Sequence, residues 1–548
     1  MTPHTPSQTR LYFETLRRLK SIQLIGRIRH LARIRRPDRR SFTGGIRAQS
    51  GPWATPIGRL QSQFGEDVFC FLSVSRRLQD IGWDSPAVDK LWRYNLHYFD
   101  DMNAVCANER LAWHQVTMQR WIADNPVGVG SGWEAYPCSL RIVNWVKFAI
   151  SGRSLDPAAV ASLAHQSRWL FRHIEYHLLG NHLFVNAKAL IFAGCFFDGE
   201  EAERWLCKGR AILKSELKEQ ILGDGGHFEL SPMYHALIVE DLLDLINLTS
   251  AYGQQNAPQF DQNLLLKMLA WLEAMCHPDG QISFFNDAAL RIAPTLGQLV
   301  SYAARLDIED RPKLSSPILH LPESGYMRVE HNGAVALLDV GEVGPRYLAG
   351  HSHADSLSFE MSLFGQRIFV NSGTSLYGIS DERRRQRGTA AHNTVTVMAQ
   401  NSSEVWSGFR IARRAHPIGL EIAEVPSIRI ACSHNGFTRF ANGPLHERIW
   451  DFDSSGLMII DELSNWQTPA EAWFHIHPDC KIELTDNRRT GCITSPDGQV
   501  ITWDCELGSL NIVASTYHPE FGVTTASYAL RITLHNGKSQ LRLKWTRA

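Results

Sequence analysis

The sequence predicts an α+β multidomain protein, a helical array followed by an antiparallel β domain. Three observations carry this. Apolar residues recur at helical spacing from about Leu91 to Leu306. After Pro322-Glu323-Ser324-Gly325 the period drops to two. Strands and helices do not alternate, so no parallel βαβ sheet is expected.

With 548 residues the chain is too long for one compact core, and divisions at 1–50, 51–315 and 316–548 fit the changes of period. In the first of these, the stretch from Arg10 to Arg47 is strongly basic. It includes Arg17, Arg18, Lys20, Arg27, Arg29, Arg33, Arg35, Arg36, Arg39 and Arg40 against Glu14 and Asp38. Leu16, Leu19, Ile22, Ile25, Ile28 and Leu31 are interleaved, so it reads as a basic amphipathic helix. Such a helix could lie on an anionic membrane surface, meet the acidic part of a partner, or pack on the body with a solvated basic face.

In the helical region, Leu237, Ile238, Leu242, Leu245, Ile246 and Leu248 form one wide apolar stripe beside Glu240, Asp241 and Asp244. Segments at Val143–Ile150, Leu163–Tyr176, Asn186–Phe197, Ala202–Ile221 and Leu264–Cys276 repeat the pattern. Turns such as Gly223-Asp224-Gly225-Gly226 join them, which suggests successive helical hairpins in a closed or open α/α array. In the third division Leu357, Phe359, Met361 and Leu363 alternate with Ser358, Glu360 and Ser362, predicting one face on a core and one on solvent. Leu541, Leu543 and Trp545 alternate with Arg542 and Lys544 in the same way.

Composition bounds the function loosely. A hydrophobic fraction of 44% and a charged fraction of 20% are those of a soluble globular protein. Zero formal net charge gives no global signature of nucleic-acid binding. Ten scattered cysteines without a CxxC pair indicate neither a disulfide scaffold nor a zinc finger. No apolar stretch is long enough to span a bilayer and no secretory signal is visible. The expected location is therefore cytoplasmic by default, with the periplasm as the alternative.

The sharpest local signal is His351-Ser352-His353-Ala354-Asp355. Two histidines two apart on extended chain point the same way, toward one metal or one substrate. HxHxD also occurs in barrel hydrolases, but there a parallel strand feeds a helix, and here an antiparallel-type strand follows. His392 begins a later strand and would complete a site if the two strands are neighbours. Asn181, in Gly180-Asn181-His182, reads alone as a helix N-cap. Tyr234, after the glycine-rich turn, His227, Glu229 and Ser231, is either a proton donor or an aromatic anchor. Trp133, Glu134, Tyr136, Arg141 and Trp145 mix aromatics with charge, as sugar clefts and packed cores both do.

In this order the segments resemble the heparinase II/III-like polysaccharide lyases, a superfamily that includes alginate lyases. The resemblance runs from about Tyr94 to the C-terminus. It is strongest in Gly180–Leu190, Gly223–His235 and Ala349–Glu360, the last continued by Ala391–Val395. It implies an N-terminal incomplete (α/α) toroid followed by a C-terminal antiparallel β-sandwich. It also implies cleavage of an acidic, uronate-containing polysaccharide by β-elimination. Asn181 and His182 would then hold the uronate carboxylate, and Tyr234 would protonate the leaving oxygen or also act as base. His351 would act as base or assist the tyrosine. As a base at neutral pH Tyr234 would need cationic neighbours, with His227, His235 and nearby arginines as the candidates. Trp133, Glu134, Tyr136, Arg141, Glu229, Tyr377, Arg384, Arg387 and Trp406 are the expected substrate contacts. The family's structural zinc implies His353 and His392 as ligands. Asn371 stands where an aspartate is expected, so Asp355 would have to substitute or the site would stay empty.

Two other classes remain. One is a relative that binds polysaccharide during synthesis or export without cleaving it, which suits the basic N-terminus. The other is a glycoside hydrolase, which needs two opposed carboxylates; Glu134, Glu229 and Asp287 are candidates, with no pair singled out.

Overall fold

The computed structural model describes residues 7–32, 37–38, 40–253, 261–309, 316–440, 443–465, 468–485 and 489–546. Arg33, Arg35, Arg36 and Arg39 of the basic segment lie outside them. Helices dominate up to Leu296–Ala304 and strands begin at Ile318–Leu321. The architecture is an incomplete α/α toroid followed by an antiparallel β-sandwich, as expected.

The inner helices of the toroid are strongly apolar. Helix Gly180–Phe196 buries every residue but His182, and Pro232–Tyr252 buries 17 of its 21. Charges that remain inside are paired. Lys188 reaches Asp241 at 2.6 Å and Asp244 at 2.5 Å, and Lys147 reaches Asp244 at 2.5 Å. Removing one partner of such a network leaves an uncompensated buried charge, at a cost of about 3–5 kcal/mol.

The sandwich has an eight-stranded and a nine-stranded sheet, with antiparallel pairing along each. Val329, Met361 and Phe474 of one sheet share a core with Trp450, Ile459 and Leu541 of the other. The period-two pattern of Lys538–Trp545 is realised as read, with Leu541, Leu543 and Trp545 inward. Strand Phe359–Leu363 departs from expectation, because both of its faces are buried. Its polar face meets the toroid instead of solvent. Glu360 bonds His277 Nε2 at 2.8 Å and accepts the Phe284 and Asn371 amides, and Ser362 bonds His277 Nδ1 at 2.7 Å. Nearby, Tyr326 Oη donates to the Leu230 carbonyl at 2.7 Å and Trp271 Nε1 to Ser324 Oγ at 2.9 Å. The nine-stranded sheet thus seals one side of the toroid and carries its loops into the site.

Candidate active site

Three helix N-termini meet at one place. Tyr136, Asn181 and Tyr234 lie in the first turns of Ala135–Ile150, Gly180–Phe196 and Pro232–Tyr252. The positive ends of three helix dipoles there favour an anion. Local chemistry fixes each start. Ser231 caps its helix by accepting the Tyr234 N–H at 3.2 Å, while its own hydroxyl donates to the Asp287 carbonyl at 2.5 Å. Gly180 has φ +58°, and a Cβ there would come within 2.4 Å of Glu229 Oε1. Asn181 is not the N-cap; Leu179 is, and the Asn181 N–H donates to Glu229 Oε1 at 3.2 Å.

The β domain contributes the histidines. The Tyr234 and His351 rings lie 4.1 Å apart, and Tyr234 Oη is 2.9 Å from Tyr377 Oη. Both histidines of the HxH segment address one carboxylate of the chain itself, where the extended spacing had predicted one metal or one substrate. His351 Nδ1 is 2.9 Å from Asp287 Oδ2 and His353 Nε2 is 2.8 Å from Asp287 Oδ1. Asp287 is fully buried and forked by Arg383, at 2.5 and 2.6 Å. Burial opposes its ionisation, but Arg383 and the histidines hold it well below the ordinary range. An ionised Asp287 only accepts, so the proton of that contact sits on His351 Nδ1, and His351 Nε2 lies 4.0 Å from Glu229 Oε2.

Electrostatics separates the roles. Burial, then Tyr377, Tyr136 and Asp287, push the Tyr234 hydroxyl well above 10, so it rests protonated. The two histidines expected as cationic helpers are not charged. Burial holds His227 neutral far below 6.5 and His235 down to about 4. The nearest arginine, Arg383, is committed to Asp287. His182 pairs with Glu175 at 3.3 Å beside the Tyr136 ring at 4.6 Å. Its partial burial lowers the imidazolium, but Glu175 and Glu229 outweigh that and raise it. Glu229 is itself raised by burial, and its Oε2 has no hydrogen-bond partner.

Several expected substrate contacts are placed elsewhere. Trp133 and Arg141 are core residues. Arg141 lies 3.8 Å over the Trp121 ring, bonds Gln166 and is lowered by burial to about 10. Arg387 is fully buried and clamps the Ala349, Ser352 and Ser407 carbonyls, so it holds the histidine loop and does not face the cleft. Arg384 is exposed and pairs with Asp381. Trp406 donates to Thr15 Oγ1 at 3.2 Å and packs on Tyr12 of the N-terminal helix. Glu134 takes Lys90 at 3.0 Å and the Tyr94 hydroxyl. Tyr136, Glu229 and Tyr377 do gather around Tyr234 and His351.

A second cluster adjoins the first. Ligand atoms of His353, Asp355 and His392 lie within 4.8 Å of one another. His353 Nδ1 faces His392 Nε2 at 3.0 Å, while the outer nitrogens donate to Asp287 and to the Gly388 carbonyl. With both outer nitrogens protonated, two lone pairs face each other, an arrangement that a cation between them relieves. Burial lowers both imidazoles to about 4, which disfavours a proton as that cation. The donor set therefore suits zinc. Asn371, the expected third ligand, accepts the Asn393 N–H at 3.1 Å through Oδ1, and its Nδ2 lacks a partner.

Comparison with known proteins identifies the family and the fold. Residues 18–305 match the model for the heparinase II/III N-terminus and residues 314–546 that for the heparinase II/III-like C-terminal domain. The chain belongs to the heparinase II/III-like family. Similar curated proteins include a heparin-sulfate lyase of Bacteroides stercoris, 27% identical over 439 residues, 75% of this chain and 60% of that protein. Another is FtsZ-localized protein C of Caulobacter vibrioides, 24% identical over 70% of this chain and 66% of that one. The chain thus spans about three fifths of the length of the first lyase it matches. Among solved structures, a heparinase III aligns with a TM-score of 0.66 at 17% identity, covering 82% of this chain and 75% of its own. The heparan sulfate lyase of Pedobacter heparinus gives 0.58 at 18% identity, over 96% and 88%.

In this heparinase II/III-like chain the residues that sequence reading missed are the supports. Arg383 sits in a run, Asp381–Arg387, that looks like a solvated charged helix. Asp287 was legible only as a stray carboxylate after Phe285-Asn286.

Proposed function

We propose that this chain cleaves a uronate-containing polysaccharide by β-elimination, with Tyr234 as acid and His351 as base. The observation that carries it is the pairing of a phenol held protonated with an imidazole whose Nδ1 is held by Asp287, ring against ring at 4.1 Å. The printed names of the similar lyases point to the same reaction class. His351 Nε2 takes the proton from C5 of the uronate, and the electron pair enters the carboxylate-stabilised enolate. That pair then forms the C4–C5 double bond as the C4–O bond breaks, and the Tyr234 hydroxyl protonates the departing oxygen. Asn181 and the His182 imidazolium face the carboxylate where the three helix dipoles converge and offset its charge. Zinc held by His353, Asp355 and His392 would be structural, fixing the loop that bears His351.

Hydrolysis is disfavoured by the fate of Asp287, whose oxygens are both occupied by Arg383 and histidines. The test is a panel of alginate, heparosan, hyaluronan and chondroitin, followed by the ultraviolet absorbance of the unsaturated uronate. A rise on at least one polymer is expected. Reducing ends without that absorbance would show hydrolysis, and binding without either product would show a non-catalytic relative.

A further inference from the structure

The N-terminal helices are built inside out. Helix Ser21–Ala32 seats on the toroid through Gln23, its single buried residue at 4% exposure. It is joined there by Gly26, where a Cβ would come within 2.9 Å of the His177 backbone, and by His30, stacked on His177 at 4.4 Å. At ~3.6 residues per turn, Leu24, Ile28 and Leu31 share the opposite stripe, and Ile25 and Ile22 widen it to about half the circumference. These side chains face solvent, Ile28 at 67% and Leu31 at 74% exposure. In the preceding helix Gln8–Leu16 only Leu11 is buried, while Phe13 and Leu16 are 63% and 50% exposed. An ordinary surface helix does the reverse, turning its apolar stripe to the core.

The pair is nevertheless firmly attached. Lys20 pairs with Glu219 and lies 3.9 Å over the Tyr347 ring, and Thr15 receives Trp406 Nε1. The outward face is therefore fixed by polar contacts to both domains and does not depend on its own apolar residues. Arg27 borders the stripe beside Leu31, and Arg29 lies between Ile25 and Ile22; both are exposed. The segment Arg10–Arg47 holds twelve Lys and Arg against two acidic residues, in a chain with 56 of each.

We propose that these helices dock the protein on an anionic lipid bilayer. A broad apolar arc with Arg27 on one border and Arg29 near the other edge is the pattern of a helix lying in the membrane plane, its isoleucines and leucines in the headgroup–acyl boundary and its guanidiniums on lipid phosphates. The outward face includes none of the residues assigned to the Tyr234–His351 site, and the docking stands whether or not that site is a lyase. No described helix is long and apolar enough to cross a membrane, so the association is peripheral.

The test is co-sedimentation of the full chain with phosphatidylcholine vesicles, with and without one third phosphatidylglycerol. The chain should pellet with the anionic vesicles, and raising salt should weaken this. Ile28→Glu/Leu31→Glu and Arg27→Glu/Arg29→Glu should each lower binding at least tenfold. Both pairs are exposed, so an unchanged thermal midpoint is expected and certifies the fold. Failure to pellet with anionic vesicles overturns the proposal, as does wild-type binding by Ile28→Glu/Leu31→Glu. So does a vesicle-free dimer in light scattering that either variant converts to monomer, since a second copy would then cover the stripe.

Discussion

Asp287 and Glu229 both approach His351, yet their surroundings drive them apart. Arg383 keeps Asp287 ionised; burial raises Glu229 and outweighs the lowering by His351, the Asn181 N–H and His182. Glu229→Gln should therefore retain most turnover. Asp287→Asn should lose about 10²–10⁴-fold by freeing the His351 tautomer, and about 3–5 kcal/mol of stability by stranding Arg383. Steady-state kinetics and denaturant unfolding of the two variants check this. His182 gives the pH dependence. Its folded value is raised by Glu175, so the pair's stabilisation is complete below ~6.5 and lost as pH rises through the raised value. KM for the uronate should rise over the same alkaline range, and His182→Gln should flatten that limb. The roles of Tyr234, His351 and Asn181 were legible in the sequence only through the family resemblance of the segments that carry them. Arg383 was not, since a charge run does not say which side faces inward. Residues 383 and 387 share a face one turn apart and turn inward, while Arg384 and Arg385 remain outside.

At the scale of elements, the site depends on helix starts. Gly180→Ala adds a Cβ 2.4 Å from Glu229 Oε1 at a φ of +58°, so it should displace either the Asn181 turn or Glu229. A fall in turnover of at least tenfold, with a smaller loss of thermal stability, is expected; unchanged kinetics would mean that this start does not position the site. Period-two alternation identified the strands but misplaced one face. A serine–glutamate–serine stripe looks solvated in sequence, and Glu360 is inward only because His277 and two amides from elsewhere meet it. Such partners belong to the tertiary structure and leave no periodic trace. The N-terminal helices show the converse. Their amphipathic pattern was plain, but which face packs on the body was decided by Gly26 and His177, distant contacts invisible to spacing.

For the whole molecule, the sandwich supplies the histidines and the toroid the helix ends, so the site exists only while the two remain docked. The His353–Asp355–His392 cluster lies on the sandwich side of that junction. Zinc at a hundredfold excess over its dissociation constant should add about 2.7 kcal/mol to the full chain, visible as a higher thermal midpoint that chelation reverses and His392→Ala abolishes. A midpoint indifferent to zinc would exclude a structural metal there. The central claim is elimination through Tyr234 and His351. It is tested most directly by following unsaturated-uronate absorbance on the best polymer of the panel with wild type, Tyr234→Phe and His351→Ala side by side. A steady rise is expected for wild type, with at least a hundredfold loss in each folded variant. Wild-type rates in Tyr234→Phe, or chain scission without the absorbance, would contradict it.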